Sequence, residues 1–409
     1  MARHTISILL LCELLAAGCD SSTSTPPMSD AGREDGGGAS YDGGVDAGPP
    51  DAGPDLRFAT FNAGLAPGDI PNVAERRQPI IDALTAADLD VVCLQEIWQQ
   101  ADWMALKTAL MSSMPNTVRH ARLPPTSGCT AEEIGPLGAC ATAACSDPGP
   151  DGLAACAVAH CGAELGALSP GCIGCVTGHL DGTIADIVAA CPDPGTPATG
   201  AGCLYDGTFD TGILTGLPIV EQDSFALDSY LVCTDIDYAR VTTPSGDEVN
   251  VFCTHLASNV GDFPYHGAFG SWDGERTHQV GQLLAYIAEK APAGSRVVVL
   301  GDLNSGPAVA SAGIVATAAS DLQMLVASGL TSPFQSQADV DCTVCPDNTM
   351  RADDSSPLLL DHALIRGFTG SPVAHRIFTD PVTIDVAGTA MMSSLSDHYG
   401  LELDLPAGG

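Results

Sequence analysis

Val297-Val-Val-Leu-Gly-Asp302-Leu-Asn304 runs β-branched and apolar residues directly into a carboxylate and an amide. Such a run reads as a buried strand that delivers its polar groups at its C-terminal end. Five more stretches follow the same plan: Phe58-Ala-Thr-Phe-Asn62, Val91-Val-Cys-Leu-Gln-Glu96, Val251-Phe-Cys-Thr-His255, Leu358-Leu-Leu-Asp361-His362 and Leu395-Ser-Asp397-His398-Tyr399. Strands whose ends carry carboxylates, amides and imidazoles describe a metal-assisted hydrolytic site better than a binding scaffold.

In that order, the motifs resemble the endonuclease/exonuclease/phosphatase superfamily, which includes the DNase I-like nucleases, neutral sphingomyelinases and inositol polyphosphate 5-phosphatases. One motif alone is weak, because a Gly-Asp-Leu-Asn tetrapeptide arises by chance; order and spacing together carry the likeness. It covers residues 56–405 apart from one large insertion. Between the motifs, apolar residues at helical spacing predict helices over 72–84, 98–111 and 275–289. Strands are expected over 56–62, 91–96, 231–236, 249–255 and 296–302, and Thr211–Ile219 resembles the family's strand-turn-strand element. This mixture suggests two sheets covered by helices. The resemblance makes it an α/β fold, a four-layer α/β sandwich of the DNase I-like kind, with the site at the ends of the two central sheets.

The residues themselves suggest roles. Magnesium prefers hard oxygen ligands in octahedral geometry, so Glu96 is the leading metal ligand, with Asn62 beside it. The resemblance assigns these two the same role and adds Asp397; manganese and calcium share the preference for oxygen. A glutamate before a helix would otherwise be a first-turn charge. His398 suits a general base for the attacking water. Asp361 would orient its imidazole, or else cap a turn. His255 is expected on the scissile phosphate. Asp302 and Asn304 would orient the water and a phosphoryl oxygen, while also forming an Asx-turn. Arg240 is a further phosphate contact, or a surface ion pair.

Formal charge is −35, from 50 acidic against 15 basic residues. Such a surface repels phosphate backbones at long range and disfavours nucleic acid as a partner, although bound divalent ions invert the local field. Arg3 and His4 precede an apolar run from Ile6 to Ala17, too short to span a bilayer. The run ends Leu15-Ala-Ala-Gly-Cys19. This resembles a bacterial lipoprotein signal, cleaved before a lipid-bearing Cys19, and implies export and anchoring in the cell envelope. Residues 20–55 are mainly Ser, Thr, Gly, Pro, Ala and Asp and cannot bury enough surface to fold. They read as a tether of 36 residues with an r.m.s. reach on the order of 30–36 Å.

Nine of the sixteen cysteines fall between Cys129 and Cys203. In an exported chain that density implies disulfides. Cys140, Cys156 and Cys172 recur every sixteen residues, and Cys145 and Cys161 share the period. Residues 129–203 therefore read as a Cys-rich, disulfide-stapled, mainly helical insertion, whose sequence names no protein partner. The pairs Cys172/Cys175 and Cys342/Cys345 have zinc-site spacing, with disulfides as the alternative. Cys93, Cys233 and Cys253 read as buried thiols.

Two features point to a phospholipid substrate. Leu94-Gln-Glu-Ile-Trp98 resembles the neutral sphingomyelinase version of the Glu motif. The segment after His255 holds Phe263, Tyr265, Phe269 and Trp272, suited to a choline headgroup or a bilayer interface, or to packing of the loop itself. A secreted nuclease and a catalytically inert surface lipoprotein are the other readings.

Overall fold

A computed structural model describes residues 55–121, 128–146, 152–180, 182–191, 203–259, 265–351 and 355–406. The expected signal segment with Cys19, almost all of the tether, and Phe263 lie outside the described residues. Among the described residues, thirteen strands follow one another as β1 (Leu56–Leu65), β2 (Val91–Ile97), β3 (Asn116–Val118), β4 (Gly212–Thr215), β5 (Ile219–Ala226), β6 (Asp235–Thr242), β7 (Glu248–His255), β8 (Arg296–Asp302), β9 (Asp361–Arg366), β10 (Val373–Ile377), β11 (Val382–Val386), β12 (Thr389–Ser393) and β13 (Gly400–Leu405). One sheet has the order β10-β13-β1-β2-β4-β3, the other β5-β6-β7-β8-β9, and β11 and β12 form a separate hairpin. The strand expected over 231–236 is displaced: β6 starts at Asp235, because Leu231 packs into the insertion and Cys233 is held by a disulfide.

Side-chain alternation along a strand sorts the apolar residues into layers. Phe58, Val91, Cys93, Val249, Val251, Cys253, Val298, Leu300, Ala363 and Leu401 fill one core between the sheets. Ala59, Phe61, Val92 and Leu94 face the other way, against Ile80, Leu84, Trp103 and Leu106 of helices α1 (Val73–Ala86) and α2 (Gln100–Leu110). Behind the second sheet, Phe252, Val297 and Val299 pack on Val280, Leu283, Ile287 and Leu325. Those last four belong to helices that the completed chain numbers α8 (Trp272–Lys290) and α9 (Ala319–Ala327). Helix, sheet, sheet, helix is the four-layer α/β sandwich.

Between α2 and β4 come α3 (Ala131–Ala144), α4 (Gly152–Gly166), α5 (Pro170–Gly178), α6 (Ile184–Ala190) and α7 (Leu204–Gly207). Local chemistry starts these helices. Thr130 with Glu133 and Thr183 with Asp186 form capping boxes, and Ser169 caps α5 ahead of Pro170. Cys140–Cys161 and Cys145–Cys156 staple α3 to α4. The sixteen-residue period thus marks an antiparallel helical hairpin. Cys129–Cys172, Cys175–Cys191 and Cys203–Cys233 complete the insertion.

Two expectations about thiols are corrected. Cys172, Cys175, Cys342 and Cys345 are all in disulfides, the last two with each other, so no thiolate remains there for zinc. Cys93 and Cys253 both fall on the inter-sheet face and join β2 to β7 across a Cα separation of 5.4 Å, within the usual disulfide range. Every cysteine among the described residues is in a disulfide. No helix among them is long and apolar enough to cross a membrane.

Candidate active site

The alternation that builds the inter-sheet core also builds the site. On β1, Phe58, Thr60 and Asn62 share a face; on β7, Val251, Cys253 and His255; on β8, Val298, Leu300 and Asp302; on β9, Ala363 and Asp361. β1 runs parallel to β2 and β7 to β8, whereas β9 and β13 run antiparallel to their partners. The C-terminal ends of four strands and the N-terminal ends of two therefore meet at one rim. Where apolar residues stop, polar ones begin on the same face.

Glu96 departs from this pattern. A regular strand would turn it to the helix side with Val92 and Leu94, but its backbone is left-handed (φ 56°). The departure brings its carboxylate to Asn62, whose Nδ2 donates to Glu96 Oε1 at 2.9 Å and to Asp302 Oδ2 at 3.1 Å. Asn304 is also left-handed (φ 46°). Its amide N–H donates to Asp302 Oδ1 (2.9 Å), closing the expected Asx-turn, and its Nδ2 donates to the Leu256 carbonyl (2.9 Å). Non-glycine residues held in this region concentrate at functional sites.

His398 Nδ1 lies 2.8 Å from Asp361 Oδ2 and 3.7 Å from Asp302 Oδ2, while its Nε2 is 3.9 Å from Asp397. Burial alone would lower the His398 pKa, but Asp361, Asp397 and Asp302 outweigh it and hold the imidazole well above its ordinary value. His255 is sandwiched similarly: Nδ1 is 2.5 Å from Asp210 Oδ2 and Nε2 3.6 Å from Asp302. Burial is again overcome, here by Asp210, Asp302 and Glu96, and the pKa rises to about 10. Burial also pushes Asp302 upward, but His398 and His255 prevail and hold it below the usual carboxylate range. Burial and the Asp397 charge lift Glu96 to about 7, against the pull of His255, Asn62 and His398.

Glu96 and Asp397 present carboxylate oxygens, the donor type a hard divalent cation takes, while the Asn62 oxygen accepts from the Gly64 amide N–H (3.0 Å). Five carboxylates (Glu96, Asp210, Asp302, Asp361 and Asp397) face two imidazoles. Asp361 Oδ1 and Asp210 Oδ1 are buried without a hydrogen-bond partner, as expected of a site short of positive charge.

Two further groups carry no strand-end motif. Asp210 reaches both His255 and the Glu96 amide N–H (3.1 Å). Arg76, fully buried on α1, donates to the carbonyls of Ala63 (3.1 Å), Gly64, Pro71 (2.9 Å) and Leu395 (2.7 Å). It thereby clamps the end of β1 to the loop that carries Asp397 and His398. A lone Asp just ahead of an apolar run and a lone Arg in a helix give no sequence signal.

Three expected substrate contacts are placed elsewhere. Arg240 pairs across the sheet with Asn250, remote from His255 at the other end of β7, and its guanidinium meets Glu221 (3.1 Å) and Glu248 (3.5 Å). Tyr265 donates to Glu275 (2.8 Å). Trp272 is buried, with Tyr265 and Tyr230 at ring separations of 5.1 and 5.8 Å. All three rings pack against the insertion, so a hydrophobic interface occupies the aromatic surface. His362 alternates to the opposite face, bonds the Ser305 carbonyl (2.7 Å), and is lowered by burial to about 4.

A two-sheet α/β sandwich with acids, amides and paired imidazoles at one rim is the DNase I-like class. The sequence matches the Endonuclease/Exonuclease/phosphatase family over residues 59–398, and the chain belongs to that family, whose members are hydrolases acting on phosphoester bonds. Similar solved structures include SmcL (14% identity, TM-score 0.50) and a beta toxin variant from Staphylococcus aureus with bound magnesium ions (14%, 0.50). Sphingomyelinase C from Streptomyces griseocarneus is also similar (18%, 0.48). Each alignment covers 86% of this chain and 99% of the other. No curated protein sequence matches significantly.

Proposed function

We propose that this protein is an exported, divalent-metal-dependent phosphodiesterase that hydrolyses a sphingomyelin-like phospholipid. The observation that carries the reading is the His398–Asp361 pair at 2.8 Å, opening onto the rim that holds Glu96, Asn62 and Asp397. Asp361 accepts the Nδ1 proton and leaves Nε2 to take a proton from water at the phosphorus once His398 is neutral, a form that a divalent cation beside Asp397 would favour by offsetting the carboxylates that raise the imidazole. His255, bound through Nδ1 to Asp210, turns Nε2 inward. With a pKa of about 10 it is cationic at neutral pH, suited to donate to a phosphoryl oxygen. A magnesium ion held by Glu96, Asn62 and Asp397 would supply Lewis-acid stabilisation of phosphate charge. Asp302, between the two imidazoles, orients both.

The charge of −35 supports a substrate other than a nucleic-acid polyanion. Exposed Met391 and Met392 on β12, shortly before His398, suit a lipid surface. Seven disulfides among the described residues suit an oxidising compartment. Lipidation at Cys19 would keep the enzyme on a bilayer at the end of its tether.

The test is a paired assay of phosphocholine release from sphingomyelin liposomes and nicking of supercoiled DNA, each with Mg²⁺ or EDTA. Lipid turnover is expected, lost in EDTA and reduced by roughly 10²–10⁴-fold in His398→Ala. DNA nicking with the same dependence would replace the lipid reading with a nuclease. Neither activity from folded protein would favour the inert surface lipoprotein.

A further inference from the structure

The Cys-rich insertion holds a partly open cavity of about 160 Å³ whose wall, among the described residues, exposes no polar atom. Leu137 of α3, Ala154 and Ala157 of α4, Ile173 of α5, Ile187 of α6 and Leu231 of the catalytic part line it. Small residues at inward positions leave the space. Four disulfides, Cys129–Cys172, Cys140–Cys161, Cys145–Cys156 and Cys175–Cys191, keep the helices from closing on it. A water molecule needs two to four polar partners, and apolar cavities of about 150 Å³ instead take small apolar guests.

The cavity wall also abuts the candidate site. A Cβ on Gly68 (φ 85°) would lie 3.0 Å from Ala154 Cβ and 3.0 Å from Leu180 Cδ1, and both residues line the cavity. Gly68 lies just beyond β1, four residues past Gly64, where an added Cβ would lie 3.0 Å from Asp397 Oδ1. Tyr205 Oη donates to the Pro67 carbonyl (3.3 Å) and fixes this loop against the insertion. One short loop thus touches Asp397 of the candidate site on one side and the apolar cavity on the other.

We propose that the insertion is a chain-binding module, and that its cavity holds one aliphatic chain of the lipid whose phosphodiester lies at the rim. The assignment of that chain to the substrate rests on the phospholipase reading above; the capacity to hold a chain does not.

Isothermal titration of the whole chain with saturated fatty acids from butyrate to palmitate tests it. One equivalent should bind, about fourfold tighter per added methylene, until the cavity is filled and the gain stops. Ala157→Trp and Ala141→Phe, which fill the space, should lose binding while keeping the wild-type circular dichroism. Should either fail to fold, the chain-length series on the wild type still decides. His398→Ala should bind palmitate as the wild type does, so a failed hydrolysis assay and a failed chain site are distinct results. Palmitate should raise the apparent KM for sphingomyelin and leave kcat unchanged. No saturable binding, or affinity independent of chain length, would overturn the chain site. Saturable binding without competition would overturn the assignment of the chain to the substrate.

Discussion

Beneath His255, Asp210 Oδ2 meets the imidazole Nδ1 while also accepting the Glu96 amide proton. One carboxylate thus fixes the charge and orientation of a candidate phosphate-binding histidine and the strained turn that aims the candidate metal ligand. Asp210→Asn keeps the shape and removes the charge. Turnover should fall roughly 10- to 100-fold, as for other partners that orient a site's ligands, and the His255 titration followed by NMR should move down from about 10. An unchanged titration would show that Asp210 does not charge His255. Gly64 is the second sensitive position. Its φ of 55° disfavours any side chain, and an alanine Cβ would lie 2.9 Å from Ser396 Oγ. Gly64→Ala should destabilise the fold by about 1–2 kcal/mol and weaken magnesium binding by displacing Asp397, as urea denaturation and calorimetry would register.

At the scale of elements, the two sheets carry the two halves of the site and are tied by Cys93–Cys253 between β2 and β7. The bridge lies three residues before Glu96 on one strand and two before His255 on the other. Replacing both cysteines with alanine should lower stability by about 2–5 kcal/mol, read from guanidinium denaturation. Arg76 ties α1 to the same rim from outside the sheets. The strands β1, β2, β7 and β8 were legible as apolar runs with polar ends, because alternation and burial are local properties; the run Leu358–Leu360 was misleading, since β9 begins at Asp361 and carries that carboxylate at its N-terminal end. Their common inward face was not, since Glu96 reaches it only by leaving strand geometry. The disulfide pairing was not legible either, because it depends on which strands face each other.

For the whole molecule, the excess of carboxylates at the rim couples folding to protons. Glu96, raised to about 7, and His255, raised to about 10, hold protons in the folded state that an unfolded chain releases near pH 4.5 and 6.5. The folded chain therefore binds more protons across both windows, and stability falls as pH rises through them. In EDTA, Tm should decline between pH 5 and 10, and magnesium at pH 8 should restore much of the loss by replacing those protons. A Tm that rises over this range would contradict the assigned charges.

The sequence by itself determined the α/β class, the family, the helical insertion and most of the residues that gather at the rim. Each of these is written in short-range pattern: runs of apolar residues, caps, cysteine density and polar groups at strand ends. Tertiary structure alone decided which groups touch. It recruited Asp210 and Arg76 through contacts with residues remote in the chain, and paired Cys93 with Cys253. It gave Tyr265 and Trp272 to the insertion interface and Arg240 to Glu221 and Glu248. Burial, charge proximity and cavity shape arise only once distant segments meet, and they set the protonation of the site and the apolar space beside it.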